Sequence, residues 1–467
     1  MQPMPDPSTA SAYAASAPDG LPVPRRYWAI AAIVLSICMS VLDSTITNVA
    51  LPTIARDFHA SSAASIWVVN AYQLAILAVL LPLAAFGEVI GYRRISQAGL
   101  WVFTLASLAC ALAPSLASLS IARGVQGLGA AGIVSVNAAL VRFTYPHRYL
   151  GRAIGINAFV VATSAALGPT IASAVLAVAQ WRWLFGINVP LGLVTIAIAR
   201  YSLPDVERSP RPLNVAGAVL YAGTFALLIS GLQSLAHHSA TWLALAQLAC
   251  GGVLTGVLVH HELRRAAPLI PFDLLRVRLF TLSLAASLCA FIGQMSALVA
   301  LPFEIQRLGH TAVETGLYMT PWPLALAVTA PIAGRLADRY PAGLLGGLGL
   351  LIMSAGLALL AFFPGGSSAF GFIWRMAVCG AGFGLFQSPN NHAILSSAPR
   401  ARSGAAGGML STSRLVGQTL GAAGVAILFR AYPATGSNLA LCAAAVLALL
   451  AALVSAIRLT GSDGVSV

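Results

Sequence analysis

The chain has 467 residues, of which 58% are hydrophobic and 8% are charged, and its mean hydropathy is +0.85. A soluble protein of this length needs far more charge to cover its surface, so the composition excludes a soluble globular fold and indicates a polytopic membrane protein. The net charge is +13, but the chain has arginines and no lysine, and the arginines are mostly spread in pairs between apolar runs, a pattern typical of membrane topology rather than of nucleic-acid binding.

The N-terminal segment and the cysteines carry no catalytic signal. Residues 1–26 begin with an Ala-, Ser- and Pro-rich stretch without a basic start, which predicts a disordered cytoplasmic tail rather than a cleaved signal peptide. The six cysteines lie singly inside apolar runs, so we expect small buried residues rather than disulfides or metal ligands.

Apolar runs of about 20 residues predict fourteen membrane-spanning helices and therefore an all-α membrane protein. We expect a six-helix bundle over 27–203, a linker with two extra helices over 204–278, a second six-helix bundle over 279–459 and a cytoplasmic tail over 460–467. The predicted spans are 27–50, 64–86, 96–115, 118–141, 152–178, 183–203, 213–234, 241–262, 279–302, 315–336, 344–363, 369–393, 404–429 and 437–458.

The arginines predict the orientation of these spans. With the N-terminus inside, nearly all loop and tail arginines fall on the inner side, as the positive-inside rule requires. The outer loops then hold four arginines, Arg56, Arg182, Arg307 and Arg430. We therefore expect a multi-pass protein of the inner (plasma) membrane with both termini in the cytoplasm.

The two predicted bundles contain related sequences about 250 residues apart. "ARGVQGLGAAGIVSVN" opens the fourth span and "WRMAVCGAGFGLFQSPN" opens the twelfth, which pairs Arg123 with Arg375 and Gly132 with Gly384. "AAFGEVIGYRR" follows the second span, and "GRLADRYPAG" follows the tenth. Such repeats are typical of transporters whose binding site lies between the two halves.

Asp43 is the least expected residue of the first span, because a charge at the bilayer centre costs on the order of 3 kcal/mol. Ser36, Ser40, Asp43 and Thr47 form one polar stripe in helical register, which predicts that this face lines water or another helix. An acid that is only structural is the alternative. Repeat spacing sets Gln294 opposite Asp43 in the second half, so the two halves are chemically unequal.

Arg123 is predicted to lie at the same depth as Asp43. At 1.5 Å per residue, Asp43 lies about 24 Å from the inner end of its helix, and Arg123 lies about 8 Å from the outer end of its own. Gln126 shares the face of Arg123. A nearby cation and desolvation act oppositely on a carboxylate, so a conformational change that alters either one can load or release a proton. An arginine that only caps carbonyl groups is the alternative.

The second half offers candidate residues for a substrate cavity. Glu304 ends the ninth span and Glu314 begins the tenth, where a charge at a helix N-terminus is the simpler reading. Aromatic residues near a membrane interface either anchor the helix or bind a flat hydrophobic cation. The predicted cavity residues are Ser40, Thr47, Tyr72, Gln73, Gln294, Glu304, Tyr318, Trp322 and Arg375.

The two repeated loops and the fifth span predict gating elements. An acid between helix ends, followed by arginines, can hold two helices together in one state and release them in the other; a solvated loop charge is the alternative. Gly168 and Pro169 favour a kink in the fifth span. The predicted gating residues are Glu88, Gly91, Arg93, Arg94, Gly168, Pro169, Gly334, Asp338 and Arg339.

No sequence pattern indicates an enzyme, a cofactor or an ATP-driven engine. The chain has no lysine and therefore no GxxxxGK phosphate loop, and no His/Cys cluster has metal-ligand spacing. Any active transport must therefore use an ion gradient, and we expect no metal and no bound cofactor.

Together these motifs resemble the major facilitator superfamily and, more closely, its fourteen-helix drug:proton antiporter family. "LDSTITNVALPTI" is similar to that family's first-helix motif, and "ARGVQGLGAA" resembles its proton-coupling motif, carried by Arg123, Gln126 and Gly127. "WRWLFGINVPLGL" and "PRARSGAAGGMLSTSRLVGQTLG" also match. The chain departs from the family where Glu88 replaces an Asp and where Ala172 and Ser173 follow Gly168 and Pro169 instead of a Gly pair.

The resemblance implies a proton-coupled antiporter that exports hydrophobic compounds across the inner membrane by alternating access. Asp43, Arg123 and Gln126 would carry the proton coupling. The tenth span lacks a deep acid, which implies neutral or monovalent cationic substrates rather than dications. A metabolite exporter or uptake carrier on the same fold is the main alternative, and a non-transporting sensor is a third. We expect a monomer whose partners are protons, a small-molecule substrate and the lipid bilayer, without nucleic acid.

Overall fold

A computed structural model describes residues 20–146, 149–205, 214–236, 241–265, 272–337, 339–362, 369–398 and 403–458. Its regular structure is helical throughout these ranges. In chain order the helices are α1 (Arg25–Asp57), α2 (Ser62–Ser65), α3 (Trp67–Ile90), α4 (Tyr92–Ala111), α5 (Leu116–Thr144), α6 (Leu150–Val178), α7 (Trp183–Gly186), α8 (Asn188–Ser202), α9 (Val215–Ala236), α10 (Thr241–Leu263), α11 (Arg278–Arg307), α12 (Ala312–Met319), α13 (Pro321–Leu336), α14 (Ala342–Phe362), α15 (Ala369–Ser396), α16 (Ser403–Ala431) and α17 (Gly436–Ile457).

Every predicted span coincides with one helix or with two consecutive helices. The second, sixth and tenth spans are each interrupted, as α2 and α3, α7 and α8, and α12 and α13. Over the described residues, eleven helical segments are long and apolar enough to cross a membrane. The spans formed by α4, by α12 with α13, and by α16 are not among them, so the full count of fourteen stays a prediction.

The helices pack in two sets that are joined at a seam. In the first set α1 packs against α6 and α8, and α5 packs against α3 and α4. In the second set α11 packs against α16 and α17, and α15 packs against α13 and α14. We call these sets the N-terminal half (α1–α8) and the C-terminal half (α11–α17). Whether each half is a separate domain with the predicted boundaries stays a prediction.

Close helix packing repeats in the two halves at glycine positions. A Cβ atom on Gly127 would lie 2.4 Å from the carbonyl oxygen of Tyr72, and a Cβ atom on Gly380 would lie 2.0 Å from that of Trp322. Neither site has room for a side chain, so each glycine lets two helix backbones touch. The same spacing of 253 residues separates a second pair of contacts, Gly129 against Phe103 and Gly382 against Met353.

This spacing corrects the predicted pairing of Arg123 with Arg375. An offset of 253 residues sets Met376 opposite Arg123, and Met376 is fully buried. Arg375 is one residue, or about 100° around the helix, away. The prediction was wrong because it aligned Gly132 with Gly384, whereas the closely packed glycines, Gly127 and Gly129, align with Gly380 and Gly382 one position later.

The seam between the halves is closed at its predicted outer end. There the side chain of Ser173 donates a hydrogen bond of 2.9 Å to the carbonyl oxygen of Val313. A Cβ atom on Gly316 would lie 1.9 Å from Oγ of Ser173, which leaves no gap between α6 and α12. Two further hydrogen bonds cross the seam near this end, Arg56 Nη2 to Gln306 Oε1 at 2.9 Å and Thr170 Oγ1 with Thr320 Oγ1 at 2.9 Å.

The two extra helices lie beside this seam. Helix α9 packs against α3 of the N-terminal half and against α16 of the C-terminal half, and α10 packs against α9. At the inner ends of α9 and α10, Nδ2 of Asn214 donates to Oε1 of Glu262 at 3.0 Å, and the side chain of Glu262 is fully buried. Helix α9 therefore bridges both halves on one side of the molecule.

Candidate functional site

Asp43 lies inside the N-terminal half, where three side chains donate hydrogen bonds to its carboxylate. Nη1 of Arg123 contacts Oδ2, Nε2 of Gln126 donates to Oδ1 at 2.9 Å, and Nδ2 of Asn188 donates to Oδ1 at 2.8 Å. The donors come from α5 and α8, and Asp43 is only 2% exposed. A buried carboxylate with three donors, one of them cationic, is fully compensated in its charged form.

Arg123 is fully buried and has further partners that compensate its charge. Its Nε donates to the carbonyl oxygen of Val68 at 3.0 Å, and its Nη1 also donates to Oε1 of Gln126 at 2.6 Å. Its Cζ lies 4.2 Å from the ring centroid of Tyr72 and 5.4 Å from that of Phe185, both within cation–π range. The guanidinium thus has partners that do not depend on Asp43.

An outer layer of hydrogen bonds holds the side chains that touch Asp43 and Arg123. Nε2 of Gln126 also donates to Oγ of Ser107 at 2.8 Å. The hydroxyl of Tyr72 donates to the carbonyl oxygen of Ser40 at 3.1 Å and lies 3.2 Å from Oγ of Ser40. Ser40 and Tyr72, predicted as cavity residues, therefore support the Asp43–Arg123 pair instead.

The polar stripe of α1 faces protein and not a water-filled path. All four residues are buried, and Ser36 and Thr47 donate to carbonyl oxygens of their own helix, Ala32 at 2.5 Å and Asp43 at 2.7 Å. A hydroxyl that is satisfied in this way needs no water. The prediction of Thr47 as a cavity residue was therefore wrong, and Asp43 carries the chemistry of the stripe.

Glu304 does not face a substrate cavity, so that prediction was also wrong. It accepts hydrogen bonds from Nη2 and Nε of Arg307 at 2.6 and 3.1 Å, and Oγ of Ser437 contacts its Oε2. This pairing joins α11 to α17 at their outer ends and leaves Glu304 3% exposed. The spacing of Glu304 and Arg307 is that of a local helix pair, which the sequence does show. The contact with Ser437, 133 residues away, could not be read from the sequence.

The predicted aromatic cavity residues of the C-terminal half are packed against other side chains. Tyr318 stacks on Phe372 with ring centroids 5.6 Å apart. Trp322 is 1% exposed, and its Nε1 has no hydrogen-bond partner among the described residues. Arg375 is half-buried, with Cζ 5.4 Å from the ring centroid of Trp374. The site therefore does not extend symmetrically into the second half.

Two predicted glutamines lie near the seam. Nε2 of Gln73 on α3 reaches Sδ of Met295 on α11 at 3.9 Å, a weak contact that crosses from one half to the other. Gln294, the neighbour of Met295, is 9% exposed. Both stay predicted cavity residues.

Glu314 has a local structural role. It forms a capping box with Thr311 at the start of α12, where its carboxylate accepts from the Thr311 backbone N–H at 2.7 Å. These hydrogen bonds hold the pKa of the Glu314 carboxyl below its usual range. The simpler sequence reading, a favourable charge at a helix N-terminus, agrees with this position.

The predicted gating loop after α3 is open toward solvent. Glu88 and Arg94 are exposed, and Gly91 ends α3 with a φ of +112° that only glycine adopts without strain. Arg93 donates to the carbonyl oxygen of Arg200 at the end of α8, within its own half. No hydrogen bond or ion pair joins Glu88 to the C-terminal half in the described ranges, so the predicted latch is not engaged in this conformation.

The other predicted gating residues lie at helix contacts or outside the described residues. A Cβ atom on Gly168 would lie 2.0 Å from Oγ1 of Thr45, so α6 touches α1 there, and α6 continues as one helix through Pro169. A Cβ atom on Gly334 would lie 3.2 Å from Oγ of Ser388, and Arg339 is exposed. Asp338 lies outside the described residues.

Sequence reasoning missed two functional candidates, Asn188 and Arg414. Asn188 is a direct donor to Asp43, and its signal was a lone amide inside the apolar motif "WRWLFGINVPLGL". Arg414 lies near the middle of α16, where a charge is as costly as at Asp43. Its signal was the third arginine of the motif "PRARSGAAGGMLSTSRLVGQTLG".

Comparisons with known proteins agree with a transporter. The chain is 53% identical to "Uncharacterized transporter YebQ" of Escherichia coli, over 95% of this chain and 97% of that protein. It is 28% identical to "Riboflavin transporter RibZ" of Clostridioides difficile, over 85% and 87%, and 31% identical to "Multidrug resistance protein Stp" of Mycobacterium tuberculosis, over 83% and 73%.

A solved structure and a family model identify the fold. The structure is that of a POT family transporter in complex with a thioalcohol-conjugated peptide; it has a TM-score of 0.72 at 16% identity and covers 93% of this chain and 96% of that one. The family model, described as Major Facilitator Superfamily, matches residues 33–422. On this evidence the chain belongs to the Major Facilitator Superfamily and is a multi-pass membrane transporter.

Proposed function

We propose that this transporter is a proton-coupled antiporter that exports hydrophobic, drug-like compounds by alternating access. The observation that carries the proposal is the buried Asp43 carboxylate, held by Arg123, Gln126 and Asn188. An ionisable group this deep in a membrane protein is functional by default. The multidrug resistance protein among the relatives supports the substrate class.

The proposed coupling follows from the partners of Arg123. Protonation of Asp43 removes the negative charge from the pair, which would leave a buried cation uncompensated. The carbonyl of Val68, the amide of Gln126 and the two aromatic faces then become its main partners. Because Asp43 is closed to water, its protonation requires a movement of α1 relative to α5. Such a movement would link proton uptake to the opening of one face.

Of the predicted neutral or monovalent cationic substrates, the neutral ones are favoured by the paired acids. A cationic substrate needs an acid that faces the cavity without a partner, and Asp43 and Glu304 are each paired with an arginine. We therefore propose hydrophobic substrates without a positive charge. We further propose that the protein works as a monomer in the inner membrane, with both termini cytoplasmic, as the loop arginines suggest.

Proteoliposomes containing the full-length protein test the coupling. A panel of hydrophobic dyes of positive, zero and negative charge is assayed for transport driven by a proton gradient and for exchange without one. We expect Asp43→Asn to abolish gradient-driven transport while substrate exchange continues. Asp57→Asn, a change of the outer acid on the same helix, is the matched control. Undiminished gradient-driven transport by Asp43→Asn would refute the proton role.

A carrier for one metabolite on the same fold is the second candidate. The relative named for riboflavin transport favours it, because that protein covers 85% of this chain at a similar identity. The same dye panel separates the two candidates. Transport restricted to a single compound class of closely defined shape supports the metabolite carrier, whereas transport of several unrelated hydrophobic compounds supports multidrug export.

A further inference from the structure

Arg414 is a charged residue of the C-terminal half that the proposed proton coupling does not use. It lies eleven residues into α16, about 17 Å from the inner end of that helix and therefore near the middle of the membrane. Arg414 is exposed in the structure. An exposed charge at this depth must face the space between the helices rather than lipid, because lipid cannot solvate a guanidinium.

The packing of α16 shows which way Arg414 points. Gly417 and Gly421 pack against α11, and Leu415 packs against the core around Tyr72 in the N-terminal half. On a helical wheel Arg414 falls between these two directions. Thr412, which faces Tyr221 of α9, lies on nearly the opposite side. Arg414 therefore points into the seam between the halves and away from α9.

The surroundings of Arg414 offer one aromatic contact but no counter-ion. Its Cζ lies 6.0 Å from the ring centroid of Phe291, which is itself buried against Phe383. Within the described ranges the guanidinium makes no hydrogen bond and no ion pair. The buried acids of the described spanning helices have other partners: Asp43 is held by Arg123, Glu304 by Arg307 and Glu262 by Asn214. A cation in this position is costly unless an anion joins it.

We propose that Arg414 is the anion-binding group of the substrate cavity, and that the preferred substrates are hydrophobic monoanions such as aromatic carboxylates. The guanidinium binds the carboxylate, and its contact with the ring of Phe291 helps to hold it in place. This proposal rests on the proposed export function, because it assigns the charge of the exported compound. It also explains why this middle part of the seam holds a cation instead of an acid.

A cavity at the predicted outer end of the seam is also lined by arginines. It has a volume of about 760 Å³ and lies between the outer ends of α1, α11 and α16. Three of the four outer arginines line it, Arg56, Arg307 and Arg430, together with His59. No acid lines it directly, although Glu304 binds Arg307 and offsets that charge. An anion that leaves Arg414 toward this side would meet the guanidinium groups of Arg56 and Arg430.

Three probes that share one ring test the proposal: 1-naphthoate, the neutral 1-naphthamide and the cationic 1-naphthylmethylammonium. Their equilibrium binding to the detergent-solubilised full-length protein is measured for wild type, Arg414→Gln, Arg414→Lys and the control Arg278→Gln, which alters an exposed arginine. We expect naphthoate to bind wild type most tightly. Arg414→Gln should weaken naphthoate about tenfold and leave naphthamide unchanged, while Arg414→Lys and Arg278→Gln retain naphthoate binding.

Two results overturn the proposal. One is that the cationic probe binds best, or that no probe binds to wild type. The other is that Arg414→Gln weakens all three probes equally while thermal unfolding shows an intact fold. Binding at equilibrium needs no proton gradient, so these results are separate from those for proton coupling. If Asp43→Asn still transports with a gradient while Arg414→Gln loses only naphthoate, the coupling proposal fails and the anion site stands.

Discussion

The two halves share a packing scheme but differ in the chemistry built on it. In both, a glycine lets a helix touch the backbone of a neighbouring aromatic residue, Gly127 against Tyr72 and Gly380 against Trp322. In the N-terminal half this contact lies beside the Asp43–Arg123 pair, whereas Met376 takes the place of Arg123 in the C-terminal half. The scaffold is thus symmetric, and among the described residues the ion pair with both partners buried belongs to the N-terminal half.

This difference indicates a division of labour between the halves, in which one half holds the proton and the other contacts the substrate. The side chains that touch the Asp43 carboxylate come from α5 and α8, within one half, so a proton can be held without help from the other half. Arg414 comes from the C-terminal half and points toward the seam. We infer that substrate contact and proton storage are separated in space and are linked through the movement of whole helices.

The largest effect is expected when Arg123 is replaced by methionine, the residue that the C-terminal half has at the matching position. Arg123→Met leaves Asp43 as a buried carboxylate without its cation, which should cost about 3–5 kcal/mol of stability and abolish gradient-driven transport. Thermal unfolding of the purified protein and transport in liposomes measure the two effects.

The double variant Asp43→Asn/Arg123→Met is the control for that change. It removes both charges, so most of the lost stability should return while gradient-driven transport stays absent. If the double variant unfolds as easily as the single one, the destabilisation does not arise from an uncompensated charge.

The glycine contacts allow a matched test of the shared scaffold. Gly127→Ala and Gly380→Ala each force a Cβ atom onto a carbonyl oxygen, and we expect each to lower stability by about 1–3 kcal/mol. Gly127→Ala should in addition reduce gradient-driven transport, because it displaces Tyr72 from Arg123. Gly124→Ala meets no atom within 4 Å and should preserve both stability and transport. An equal loss of coupling in both tight variants would contradict the division of labour.

The smallest effect is expected at the second buried acid. Glu304→Gln keeps the shape of the side chain and loses the charge that Arg307 and Ser437 bind. Because Arg307 is 53% exposed, water can solvate it, and we expect a loss of about 1 kcal/mol with proton-coupled transport unchanged. A loss of coupling comparable to that of Asp43→Asn would place a proton site in the C-terminal half as well.

The sequence predicted the approach of Asp43 to Arg123 for a simple reason. Both residues are charges in apolar helices, and the constant rise of a helix places them at the same depth. The positions of the helices could also be predicted from the sequence, because the length of the apolar runs and the turn residues between them mark each helix.

Other features could not be predicted because they depend on tertiary contacts. The pairing of Glu304 with Ser437 joins residues 133 positions apart, and Asn188 reaches Asp43 from a different helix. The one-residue error in pairing Arg123 with Arg375 arose because repeated glycines align in more than one register. The helix contacts resolved it, since each of those glycines has its own backbone partner.

The position of α9 affects how hydrophobic compounds can reach the seam from the membrane. The seam between two halves borders the bilayer on two flanks. Helix α9 spans α3 and α16 and so shields one flank from lipid. On the opposite flank α6 meets α12 and α13, and in the described part of the chain no further helix covers them. A compound dissolved in the membrane would therefore enter on the flank of α6 and α13, after contacts such as the hydrogen bond between Thr170 and Thr320 have separated, and would approach Arg414 from that side.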